Sequence, residues 1–340
     1  MERKNPKKRI STEKWGKYNM REDRAFFSRV GISYFAMALL VTVVQMIVSM
    51  IIGIVAPQLV YLPIINWIVS LAPLYLLGIP VCMHLMQTLP AMQLYRSRMN
   101  AGRWFKILCI CICVMYVGNI IGNAVCALIS RSTGLDLSLG LDSLMSNGSP
   151  WFSLLFTVIL APVMEEFIFR KVMIDRTIVY GDKAAIVLSG LLFGLFHGNF
   201  HQFFYAFGLG CILAYVYIRT GNLKYNIMLH MAVNFLGGFL SSVLLDRMDY
   251  ASWASGDPYA SIDLMFHHLG AILGLMVLEV CMIGMAIAGL IFLIKSVKKV
   301  ELRSGERERP RNEMTGAMFG NPGMILFILM CVALFAASML

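Results

Sequence analysis

The sequence predicts an all-α protein, a polytopic transmembrane helix bundle of about nine spans with its amino terminus in the cytoplasm, and three observations predict it. Of its 340 residues 59% are hydrophobic and only 14% are charged, with a mean hydropathy of +0.72. A soluble domain of that length is far more polar. Apolar runs recur along the chain, most of them near the roughly 20 residues that a helix needs to cross about 30 Å of hydrocarbon. The basic residues are segregated as well: five segments placed on one side hold 27 of the 29 Lys and Arg, leaving Arg131 and Arg247 on the other. That asymmetry is the positive-inside rule.

Residues 1–29 carry ten basic against four acidic side chains and read as a basic cytoplasmic tail. The surplus suits an anionic lipid surface and serves as a topology signal; no nucleic-acid partner is expected. Because this tail is polar, the first apolar run is expected to stay in the mature protein and not to be a signal peptide. The runs follow at 30–55, 61–88, 105–130, 151–178, 184–199, 203–219, 225–245, 264–294 and 323–340. Between them the basic, inner segments are 90–106, 170–183, 219–224 and 295–313. The outer segments carry Asp136, Asp142, Asp246, Asp249, Asp257 and Asp263. This divides the chain into the tail, a bundle at 30–295 with a core at 151–245, a charged linker at 296–322 that is expected to be flexible, and a detachable final helix at 323–340. No second domain or internal repeat is evident. All eight cysteines lie in apolar runs without a CxxC pair, so they read as small buried hydrophobes.

Charged and imidazole groups interrupt the runs between Ala161 and His230, and ionisable groups at bilayer depth are costly enough to imply function. Glu165 and Glu166 point about 100° apart on a helix, so they do different work. Glu166 stands four residues before Arg170, the favourable order for an ion pair, which leaves Glu165 to face a cavity. Two spans must fit between Lys183 and Arg219. Either both helices are short or the turn at Gly198-Asn199-Phe200 is sunk in the protein, and either case brings His197 level with Glu165. Phe193 shares the His197 face. His230 and Asn234 share a face on the next helix, where two N–H donors aimed at one point would make an oxyanion hole. A desolvated carboxylate opposite them would act as general base toward water. Together these groups suffice for amide hydrolysis.

The ordered set Glu165-Glu166-x-x-x-Arg170, Phe193-x-x-x-His197 and His230-x-x-x-Asn234, on three helices, resembles the signature of the CPBP family of intramembrane proteases. That family includes the type II CAAX prenyl endopeptidases and the bacteriocin-processing and self-immunity (Abi) proteins. The resemblance covers about residues 151–245. It implies an intramembrane peptidase acting on a membrane-associated protein or peptide. Glu165 and His197 would activate the water, His230 and Asn234 would stabilise the oxyanion, and Glu166, Arg170 and Phe193 would support them. No cofactor is expected; in the alternative, Glu165, His197 and His230 would hold a divalent metal such as zinc. The expected location is a bacterial cell membrane. The competing reading is a non-proteolytic immunity or scaffold protein of the same fold, and a proton-coupled transporter is weaker. Glu279 either lines the same cavity or bonds a neighbouring helix. His84, His267 and His268 read as interfacial, His201 as a turn residue, and Gly190, Gly194, Gly208 and Gly210 as close helix contacts.

Overall fold

The structure, a computed structural model, describes residues 19–135, 137, 150–247 and 267–339. Most of the basic tail, residues 1–18, lies outside the described residues, as do Asp136, Asp142, Asp249, Asp257 and Asp263. Among the described residues every regular element is helical. Asn19 opens α1 (Met20–Val55), its side chain accepting from the Arg21 amide at 3.0 Å, so the helix begins inside the segment expected as tail. A 3₁₀ turn (Pro57–Tyr61) leads to α2 (Pro63–Met86). Next come α3 (Ala101–Thr133), α4 (Pro150–Tyr180), α5 (Asp182–Phe196), α6 (Phe200–Thr220), α7 (Leu223–Asp246) and α8 (Leu269–Val297). The chain closes with α9 (Arg311–Phe319) and α10 (Pro322–Ala337). Asparagines cap α3, α6, α7 and α10 through Asn100, Asn199, Asn222 and Asn321, meeting amide donors that have no helical acceptor.

Nine runs were expected to cross, whereas seven helices are long and apolar enough alone: α1 to α4 and α6 to α8. An eighth crossing exists if α9 and α10, bent by 67°, count as one. The two runs that fall short alone are α5 and α10, the latter of 16 residues. The 15 residues of α5 extend only about 22 Å at 1.5 Å per residue, too short to cross alone. The protein is an integral membrane protein.

Two apolar clusters organise the bundle. One joins α1, α2, α4, α5, α9 and α10 around Phe27, Tyr34, Phe169 and Phe327; the other joins α3, α6, α7 and α8 around Ile112, Leu213 and Leu229. Small residues set the spacing of α5 and α6: a Cβ on Gly210 would lie 2.9 Å from Gly190 Cα. Gly208 faces α3, where a Cβ would meet Val114 at 2.5 Å. The cysteines are free; six are buried, Cys211 is half-buried and Cys281 is exposed on α8.

The linker between α8 and α9 differs most from expectation. It is pinned, not loose. Asp23, fully buried, takes ion pairs from Arg307 at 2.6 Å and from Arg309, and a hydrogen bond from Tyr180 Oη at 2.9 Å. The Arg303 amide donates to Asp182 at 2.9 Å, and the Arg307 amide to the Val179 carbonyl at 3.0 Å. The last helix is likewise no detachable piece, since α10 packs closely along α1, where the Gly323 amide donates to Ser28 Oγ at 3.1 Å. The 90–106 segment joins the same end through Met92 N to the Asp175 carbonyl at 2.6 Å and Ser97 N to the Thr220 carbonyl at 2.8 Å. Described residues of all five basic segments therefore meet at one end of the bundle.

Candidate active site

Helix α4 carries the acids and is not regular. It winds as a π-helix over Leu154–Leu160, returns to α over Ala161–Glu166, and widens again over Phe167–Val172. Such bulges turn successive side chains by less than an α-helix does and are frequent at functional sites. Neighbours hold the second one open. Tyr34 of α1 donates to the Ile168 carbonyl and Ser189 of α5 to the Phe169 carbonyl, each at 2.8 Å.

Glu166 and Arg170 are completely buried and 3.0 Å apart, the pair that their spacing predicts. Glu166 also does more than pair with Arg170. Its Oε1 lies 2.9 Å from His230 Nδ1, and its Oε2 accepts from Asn226 Nδ2 at 3.2 Å. One carboxylate thus ties α4 to α7 twice. Asn226 also donates to the Leu213 carbonyl of α6 at 2.6 Å. The spacing readily shows Asn226 in hindsight, four residues before His230 on the same face, but its type alone does not separate it from an ordinary buried amide.

Glu165 points the other way, its side chain 25% exposed to a cavity of about 200 Å³. His197, His230 and Asn234 line the same cavity, with Phe193, Thr157, Gln202 and Tyr205 among the other walls. The helix before the turn is short: α5 has 15 residues and stops at Phe196, His197 caps it, and Gly198 takes φ +68° before Asn199 opens α6. That left-handed backbone strongly favours glycine. His197 and Glu165 meet across the cavity through this short helix and the length of α4.

The hydrogen bonds fix how each imidazole is presented. His197 Nδ1 lies 2.8 Å from the Phe193 carbonyl. A carbonyl only accepts, so Nδ1 holds the hydrogen and the other nitrogen is an acceptor in the neutral ring. His230 Nδ1 likewise faces a carboxylate, leaving Nε2 at 3.6 Å from Glu165 Oε2. Phe193 stands edge-on to both rings, with centroids 4.9 Å from His197 and 5.7 Å from His230, and its face lies 4.7 Å from the Arg170 guanidinium. Asn234 does not point its whole amide into the cavity, because its Nδ2 donates to the Thr157 carbonyl at 2.9 Å. One N–H of that nitrogen remains.

Glu165, His197 and His230 offer the right donor types for zinc. Even so, among the described residues no three His, Cys, Asp or Glu side chains gather closely enough to hold an ion. Glu279 is not in the cavity wall; it accepts from Tyr116 Oη of α3 at 2.8 Å, the helix-bonding role. His201 sits in the first turn of α6 and joins Asn123 Oδ1 at 3.0 Å and the Leu137 carbonyl at 2.8 Å.

Residues 147–236 match the model of the type II CAAX prenyl endopeptidase Rce1-like family. The matched stretch spans α4 to the middle of α7 and contains all three motifs, so the family resemblance carried by those motifs holds. No curated protein matches the chain, and no solved structure does.

Proposed function

With residues 147–236 matching the Rce1-like endopeptidases as the premise, we propose that this chain is an intramembrane endopeptidase. Its substrate is a membrane-associated protein or peptide of the CAAX type, in the cell membrane of a bacterium. The observation that carries the reading is the convergence of Glu165, His197, His230 and Asn234 on one cavity from α4, the α5–α6 turn and α7. A binding scaffold has no need of a carboxylate and a free imidazole acceptor opposite two donors.

In this reading water sits between Glu165 and His197. The Glu165 carboxylate takes a proton as the water oxygen bonds to the scissile carbonyl carbon, and His197 Nε2 accepts the second O–H and orients it. The carbonyl oxygen becomes an oxyanion, met by Asn234 and by His230 Nε2. For Nε2 to donate while Nδ1–H stays on Glu166, the His230 ring carries both protons. Glu165 and Glu166 then balance Arg170 and His230, and the buried cluster is neutral. Collapse breaks the C–N bond, and the proton held by Glu165 passes to the leaving amine.

The chemistry proposed here uses no metal. It needs none, because Glu165 supplies the base and His230 with Asn234 the oxyanion donors, and among the described residues no three His, Cys, Asp or Glu side chains gather as a ligand set. Purified protein is expected to cleave a farnesylated peptide ending in a CAAX sequence, and to do so equally after dialysis against a strong chelator, with no stoichiometric metal by elemental analysis. Activity lost to the chelator and restored by zinc would instead assign Glu165, His197 and His230 as ligands.

A further inference from the structure

Pro162 takes no part in the chemistry above, yet its missing N–H bears on where Asn234 is held. The first π-helical stretch of α4, Leu154–Leu160, ends just ahead of it. There the Ala161 amide reaches back five residues to the Phe156 carbonyl. The next amide in that register would take the Thr157 carbonyl, but it belongs to residue 162, and proline has no N–H. The pyrrolidine ring also crowds the carbonyl four residues back, Val158, which is a physical cause for the widened turn. Thr157 is thus left with a carbonyl that needs a donor from outside the helix, since bare backbone is costly within a membrane. Asn234 Nδ2 supplies it at 2.9 Å, and both residues line the cavity.

We propose that Pro162 is a positioning residue for catalysis: by leaving the Thr157 carbonyl free, it anchors Asn234 Nδ2 and so presents the second N–H of that nitrogen to the oxyanion. This rests on the reading of Asn234 as an oxyanion donor. A carbonyl accepts only from the nitrogen end of a carboxamide, so the anchor also fixes which way round the amide stands. Were residue 162 to carry an N–H, that N–H would compete for Thr157, and Asn234 could turn its oxygen to the cavity, where it would repel the developing charge.

The test uses the full chain and a farnesylated CAAX peptide, comparing Pro162→Ala with replacement of Pro162 by lactic acid, the ester analogue of alanine with the same methyl group and no N–H. Removing one oxyanion donor costs about 10²–10³ in kcat, and Asn234→Ala is expected to show that loss. Pro162→Ala is expected to lower kcat by roughly tenfold or more with KM within about twofold, the mark of an interaction made in the transition state. The lactic acid variant should keep wild-type kcat, and Pro162→Ala should add nothing in the Asn234→Ala background. Equal loss in the alanine and lactic acid variants would overturn the proposal, because the ring and not the missing N–H would then matter. Wild-type kcat in Pro162→Ala would overturn it too. Full activity in Asn234→Ala would instead overturn the oxyanion reading itself, and this inference with it.

Discussion

Arg170 and Glu166 are buried without access to solvent, and their ion pair is only one of the contacts that hold them there. Glu166 accepts from Asn226 and His230, while the guanidinium lies over the Phe193 ring. A buried pair of charges gains little net stability, but removing one partner strands the other, at about 3–5 kcal/mol. Arg170→Met should therefore lower the thermal midpoint in detergent by that scale and abolish cleavage. A midpoint within a degree of wild type would mean that Glu166 finds another partner. Much of this constellation is legible in the sequence, because i, i+4 spacing on a helix is a statement about faces: it gives the Glu166–Arg170 pair, the opposed Glu165 and the Phe193–His197 contact. What it does not give is the second life of Glu166 as the anchor of His230, which depends on how α4 and α7 approach each other. The Thr157 carbonyl is further out of reach, since a backbone atom leaves no mark in residue type.

The helices approach where side chains vanish. A Cβ on Gly289 of α8 would lie 2.0 Å from the Cys109 carbonyl of α3, and one on Gly118 of α3 would lie 2.4 Å from Tyr205 Cα of α6. Overpacking a tight contact costs about 1–3 kcal/mol or more. Gly289→Val is expected to lose at least that much, read as a lower thermal midpoint, while Gly284→Val on the same helix, where a Cβ meets nothing within 4 Å, should not. Equal behaviour of the two would contradict the packing of α8 on α3. The apolar runs announced the helices correctly, since length and hydropathy are local properties. Nine runs exceed the seven helices, or eight with the bent pair, that are long and apolar enough to cross, because α5 and α10 read as apolar runs yet have only 15 and 16 residues. The π-helical stretches of α4 were not legible, although Pro162 marks one of them.

At the scale of the molecule, described residues of the basic segments gather at one end, where Asp23 clasps the linker. Tyr180 of α4, Arg307 and Arg309 of the linker converge on that one carboxylate from far-apart stretches of sequence. Composition alone made the linker look loose, because partners so remote cannot be read from a charged run. Gly305 allows the approach, as a Cβ there would sit 2.2 Å from the Val179 carbonyl. Asp23→Ala removes the buried carboxylate on which both guanidiniums converge, leaving Arg307 with Glu22 and Arg309 with Glu313 nearer the surface. Limited trypsin digestion should then cut within 298–311 much faster than in wild type; an unchanged digestion rate would contradict the clasp. The clasp holds α9 and α10 in place, and α10 packs against the turn that carries His197, with Phe335 4.8 Å from Phe200 by ring centroids. In the proposed function the whole arrangement serves the Glu165 carboxylate facing its cavity. Its most direct test is cleavage of the farnesylated CAAX peptide by Glu165→Gln, with Glu279→Gln as the control for losing an intramembrane acid. The account predicts a loss of about 10²–10⁴-fold in kcat for Glu165→Gln, as for removal of a general base, with peptide binding kept and the control unchanged. Full activity in Glu165→Gln would contradict it.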